Sequence, residues 1–261
     1  MADYIMIRKG RNIVSSVLHV LLNVLLGVGS IFVTVVTGNW ITGIVLVLIS
    51  KWRVFAVRPR YWFLNIRSSL VDFIVGSSLV MLAYYAGSEL TWAHLLLSII
   101  YVVWLLFIKT RTSANWVLAQ AICAVFLGSA ATAIITSGTD SALIVLMEFI
   151  IGYGASRHIL AQSSDKDFSL LTLVCGLLAA EISWLCHSWM IIYTYGSSNI
   201  FIPQISIILS ILTFLFSRFY NSSVKNDGKI KFSDVRGAAI FSIIVIIVVV
   251  VGFSTPRFNI F

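Results

Sequence analysis

Residues 241–253 read FSIIVIIVVVVGF, a run rich in β-branched side chains and without one charged residue. A helix of that sequence offers nothing to a polar partner, so it belongs at the edge of a bundle, against lipid. The whole chain points the same way. It has 261 residues, of which 59% are hydrophobic and 11% charged, with a mean hydropathy of +1.00. A soluble domain carries about a quarter charged residues. Too few are present here to cover a surface in water, and the apolar surface must face lipid.

The net charge of +8 does not indicate nucleic acid, because the basic residues sit in short clusters between apolar runs, a membrane pattern. Cys123, Cys175 and Cys186 all fall inside such runs and read as small buried hydrophobes, with no disulfide framework. The start, MADYIMIRKGRN, precedes an apolar run too long for a signal-peptide core and is closed by no A-x-A site, so it is expected to remain as the first span.

A helix needs about 20 apolar residues to cross the hydrocarbon. Nine segments are predicted to do so: 12–36, 40–57, 68–86, 91–108, 114–136, 141–156, 168–193, 200–217 and 235–254. The second and sixth end in charge before a full span is complete. No long run shows the alternation a β-barrel needs, so the fold class is an all-α polytopic transmembrane bundle. With the N-terminus inside, every basic residue of the 18 except Arg257 falls on an inner segment. The outer connections TGNW, GSEL, SGTDS and YTYGSSN carry none. Nine spans, N-terminus inside and C-terminus outside, is the orientation this asymmetry predicts.

The longest connections are inner. Residues 51–67, KWRVFAVRPRYWFLNIR, mix Arg with Trp, Phe and Tyr and are expected to lie in the interface and reach lipid phosphates. Residues 218–236, RFYNSSVKNDGKIKFSDVR, read as a turn-rich polar loop. No internal repeat is visible. In the first span Asn12, Ser16, His19, Asn23, Gly27, Ser30 and Thr34 recur every three or four residues and share a face, which must meet other helices or a wet cavity. FLGSAATAIITS, residues 126–137, reads as a packing face.

Three acids lie within spans. Asp72, in the first turns of the third, reads as a solvated acid supported by the helix start and Arg67. Glu148 stands about 10 Å from the outer end of its span at 1.5 Å per residue. Glu181 stands about 20 Å from the inner end of the next. In a core of about 30 Å both reach the same depth. Glu148, Gly152 and Ala155 share one face. Gly176, Ala180, Ser183 and His187 form a small-residue stripe with Glu181 at its margin. The two carboxyls are expected to meet and to share a proton or bind a cation, with His187 nearby and His19 and Asn23 aiding from the first span. The other reading ties each acid to Trp184, His187, Tyr153 or a serine. His94, His187 and Gln204 fall in the same outer third, but no tight ligand spacing supports a metal, and none is assigned. Pro203 is expected to kink the eighth span near Gln204. Trp184, Trp189, Tyr193 and Tyr195 fit an outer aromatic belt.

Lys51–Pro59, KWRVFAVRP, fits K-x₆-R-P and resembles the first signature of the type 2 phosphatidic acid phosphatase family, whose Lys and Arg hold a substrate phosphate. The resemblance implies phosphate or lipid head-group binding by Lys51 and Arg58, with Arg60 beside them. That family's P-S-G-H motif is absent, and SRHILAQSSD, holding His158 and Asp165, does not keep the spacing of its third. No residue is assigned a catalytic role, and no protease elbow, Walker loop, H-E-x-x-H or C-x-x-C motif occurs. The sequence therefore predicts an integral membrane protein, expected in a prokaryotic cytoplasmic membrane, whose partners are the bilayer and other membrane subunits, with no cofactor. A small transporter leads. A non-catalytic scaffold or accessory subunit and an enzyme of lipid head groups follow.

Overall fold

Away from water a backbone must satisfy its polar groups internally, in a helix or a closed barrel, and the apolar runs here fold as helices. The computed structural model describes residues 2–56, 58–139, 141–161, 168–189, 191–194 and 200–252. Asp165, Tyr195 and Arg257 lie outside the described residues. The helices are α1 (Ala2–Thr37), α2 (Trp40–Ser50), α3 (Trp52–Phe55), α4 (Trp62–Tyr85), α5 (Trp92–Val103), α6 (Ala114–Ile135), α7 (Ser141–Leu160), α8 (Phe168–His187), α9 (Gln204–Lys225) and α10 (Phe232–Ile247). A π-helical turn, Trp104–Ile108, continues α5, and another, Val248–Gly252, continues α10.

Among the described residues seven helices are long and apolar enough to cross a membrane, and two of the nine predicted runs form shorter ones. The run at 40–57 yields the 11 residues of α2, because Lys51 leaves helical geometry at φ −97° and ψ 15° and its ammonium turns to Asp72. The run at 91–108 starts at a Thr91–His94 capping box and ends at Lys109, giving Trp92–Ile108. The sixth run, expected to be short, extends to Leu160 and is long and apolar enough for a full span.

Side-chain contacts give the direction of each helix. A Cβ on Gly43 would meet Val80 and one on Gly76 would meet Val47, while Lys51 pairs with Asp72, so α2 and α4 run antiparallel. The imidazole of His94 reaches the Ala83 carbonyl and the Trp104 indole reaches Asp72, which sets α5 antiparallel to α4. Gln120 with His158 and Ser129 with Glu148 do the same for α6 and α7. Ser156 with Thr172 and Gly152 against Cys175 and Ala179 set α7 against α8. Phe214 with Phe241 and Gln204 with the Val249 carbonyl set α9 against α10. The core lies around α4 and α6, where Val75, Leu79, Val80, Ala121 and Ala124 are fully enclosed. The β-branched α10 is the most peripheral, with 17% of its apolar window buried.

The run at 168–193 stops as a helix at His187. Ile192–Thr194 (β1) instead pairs antiparallel with Phe201–Pro203 (β2), Ile192 opposite Pro203. β-branched and aromatic residues on either side of YGSSN favour this over two more helical turns. Pro203 consequently caps α9 from outside the helix, so no helical bond is lost and the expected kink does not form. The polar stripe of α1 divides. Gly27, Ser30 and Thr34 are buried, and a Cβ on Gly27 would stand 2.7 Å from Val102, whereas His19 is exposed.

Candidate functional site

Glu148 is the largest charged side chain withdrawn fully from the surface, at 0% exposure. It sits mid-way along α7 because Ile144, Glu148, Ile151 and Ala155, at helical spacing, form the face buried between α6 and α8. Close approach of α8 is enforced by small residues. A Cβ on Gly152 would stand 2.5 Å from that of Ala179, and one on Gly176 would be 3.0 Å from the Phe149 carbonyl oxygen. On the other side, the Ser129 hydroxyl of α6 donates to Glu148 Oε2 at 2.9 Å. Glu148 Oε1 is buried and has no hydrogen-bond partner among the described residues.

Glu148 is one of the residues around a partly open cavity of about 260 Å³ between α7, α8 and α9, with α6 behind. Its polar groups are Glu148, Ser156, Thr213 and the Cys175 thiol, and the other lining residues are apolar, among them Phe216 and Phe219. Ser156 donates to the Gly152 carbonyl at 2.8 Å and Thr213 to that of Leu209 at 2.8 Å. Both hydroxyl protons are committed within their own helices, so the cavity offers acceptors and one weakly donating thiol. A buried acceptor left bare costs about 1–3 kcal/mol, and more if charged. Glu148 is thus chemically unfinished: a proton, or a donor or cation in the cavity, completes it.

Glu181 does not meet it. The contacts of Gly152 with Cys175 and Gly176 put Ala180 and Glu181 level with Glu148, but Glu181 is exposed while Ala180 is 4% exposed. One residue along a helix is a rotation of about 100°. Thr172, Gly176, Ala180 and Ser183 take the buried face, which turns Glu181 to the outside. His187 is about two turns beyond Glu148's level on that register and half-buried, with Nδ1 unpartnered among the described residues. His19 and Asn23 bond each other at 3.1 Å on an outer part of α1, away from the cavity lining. Only Glu148, of these five, lines the cavity. A serine partner is what the other reading of the acids expects for Glu148, and it is Ser129, on the face expected only to pack helices. A lone serine among Gly and Ala in a buried helix was the available cue.

Asp72 is no solvated cap acid. Its Oδ2 takes Lys51 and, at 2.6 Å, Lys109, and its Oδ1 accepts from Trp104 Nε1 at 2.9 Å. Arg67, expected beside it, bonds the Tyr153 hydroxyl instead. Lys51 therefore turns into the bundle, whereas Arg58 and Arg60 are exposed, Arg60 with its guanidinium 4.6 Å from the Tyr61 ring centroid. The three are not gathered as a phosphate cradle. His158 is bound to Gln120 Oε1 at 2.6 Å.

A second cavity, of about 410 Å³, lies between α1 and α5. Its one ionisable group, His94, is saturated: Nδ1 accepts from the Thr91 backbone and Nε2 donates to the Ala83 carbonyl at 3.0 Å. Gln204 likewise is engaged, donating to the Val249 carbonyl at 2.7 Å. Among the described residues no three His, Cys, Asp or Glu side chains gather as a metal would require. No protein-family model, curated protein or solved structure matches the chain.

Proposed function

We propose that this multi-pass membrane protein is a small transporter in which Glu148 alternately binds a proton and a cation. The observation that carries the reading is Oε1: a wholly buried carboxylate oxygen without a partner among the described residues, on a residue that lines a cavity. An acid inside a membrane bundle is costly to keep and is a functional-site hypothesis by default. The role belongs to Glu148 alone, since Glu181 points outward.

The same proposal takes nine passes with the N-terminus inside. Alternating helix directions support it, as does the grouping of Lys51, Lys109 and Arg67 at one end of the α2–α4–α5 unit. The 16 residues Trp40–Phe55, read through the break at Lys51, span about 24 Å. A pass that short is accommodated by local bilayer thinning.

The test is charge movement. Proteoliposomes on a solid-supported membrane, exposed to pH steps and to a panel of inorganic and organic cations, should give transient currents. Glu148→Gln, correctly inserted and monodisperse, should give none. Equal currents from wild type and variant reject the reading.

A non-catalytic scaffold or accessory subunit is the second reading, favoured by the exposed His19–Asn23 pair amid the exposed Leu18, Leu21, Leu22 and Leu25 of α1. It predicts a partner that co-purifies in mild detergent and is lost from a His19→Leu, Asn23→Leu double variant. Retention of the partner by that variant removes this surface from consideration.

A further inference from the structure

Resting on the reading that Glu148 binds a cation, we infer that its ligand is a small amphiphilic organic cation, whose charged head meets Oε1 and whose apolar body lies along α9. Three features of the cavity define this class.

The first is the balance of donors and acceptors. Among the described residues, the polar groups of the cavity lining other than the Cys175 thiol are acceptors, and no Lys, Arg or His is present there. The positive or donating group must therefore come from the ligand. The second is the oxygen count. A bare hard cation such as Ca²⁺ takes about 6–8 oxygen ligands. One carboxylate and two hydroxyls, the latter a full turn or more away, are too few. An ammonium head needs only one good carboxylate and tolerates apolar walls elsewhere.

The third is shape. Glu148 and Ser156 are eight residues apart on α7, so the lined stretch runs about 12 Å at 1.5 Å per residue. The Gln204 backbone bonds the Ile191 carbonyl, so α9 begins at the end where α8 finishes. Leu209 and Leu212 consequently lie near the level of Glu148, and Phe216 and Phe219 lie further along, toward Ser156. Charge stands at one end and aromatic surface at the other. The helices α8 and α9 scarcely touch, so the cavity is a cleft between them, and a ligand would enter sideways from the apolar side rather than down a wet channel. The volume of about 260 Å³ is below the roughly 300–1,000 Å³ of pockets for drug-sized ligands, which limits the ligand to one ring or a short chain.

The experiment compares phenylpropyltrimethylammonium with its neutral isostere, carbon replacing nitrogen, by equilibrium dialysis against the full chain in lipid nanodiscs. Saturable binding of the cation at least tenfold tighter than the isostere is expected. Glu148→Gln should abolish that tenfold preference. Glu148→Asp, which keeps the charge, should retain part of it. Phe216→Ala should weaken both ligands several-fold. If both ligands bind alike and Glu148→Gln changes nothing, the cleft takes apolar chains and the inference is overturned. If neither binds while wild-type proteoliposomes still give Glu148-dependent currents, the substrate class is wrong and the transporter reading survives. Absence of both binding and currents removes both.

Discussion

Asp72 and Glu148 are both carboxylates inside apolar helices, and their surroundings could hardly differ more. Asp72 collects two ammonium groups and an indole N–H on its two oxygens. Glu148 receives a single hydroxyl, on one oxygen, while the other has no partner among the described residues, and the residue lines a cavity. The first ties α2, α4 and α5 together and leaves nothing to react. The second contributes little to holding α6 and α7 together and leaves an acceptor free. A carboxylate buried in a bundle is thus not one kind of object: the number of donors around it separates a fastening from a site.

This contrast can be broken at Asp72 with the largest effect. Asp72→Ala leaves Lys51, with 12% of its side chain exposed, and the Trp104 N–H without their partner. Removing one member of such a buried pair should cost about 3 kcal/mol, measured as loss of stability in equilibrium unfolding in detergent. At Glu148 a far smaller effect is expected. Glu148→Gln keeps an acceptor for Ser129 and exchanges one unpartnered polar group for another, so stability should stay within about 1 kcal/mol of wild type, while charge movement disappears. A loss of 3 kcal/mol there would make Glu148 a fastening like Asp72.

Two smaller effects sharpen the comparison. Gly152→Val forces a side chain into Ala179 and the Cys175 carbonyl oxygen, 3.2 Å from the would-be Cβ. Overpacking of this kind costs about 1–3 kcal/mol, and a matching fall in ligand binding would show that α7–α8 contact shapes the cavity. Lys109→Met should cost no more than about 1 kcal/mol, since the Lys109 side chain is 41% exposed and exposed ion pairs contribute little. A larger loss would mean that both lysines are required to hold Asp72.

Much of this was readable along the chain. Length and apolarity located every long helix, because a backbone in lipid has no alternative to hydrogen-bonding itself. They failed where a local feature interrupted the run. Lys51 ended α2 early, and the β-branched and aromatic residues flanking YGSSN formed a hairpin in place of helix. The face of α7 was also readable, since Glu148 lies four residues before Gly152 and seven before Ala155. The face of α8 was not. Gly176, Ala180 and Ser183 mark the packed side, and Glu181 is a single residue from it.

What the sequence determined alone was periodic: which segments are helical and which face of each is smallest, because both follow from spacings within one turn or two. What the tertiary structure decided was pairwise. Ser129 finds Glu148 across 19 residues and Trp104 finds Asp72 across 32, and one oxygen of Glu148 keeps no donor among the described residues. Such meetings depend on helix rotation and separation set by packing over the whole bundle. No spacing within a single helix records them.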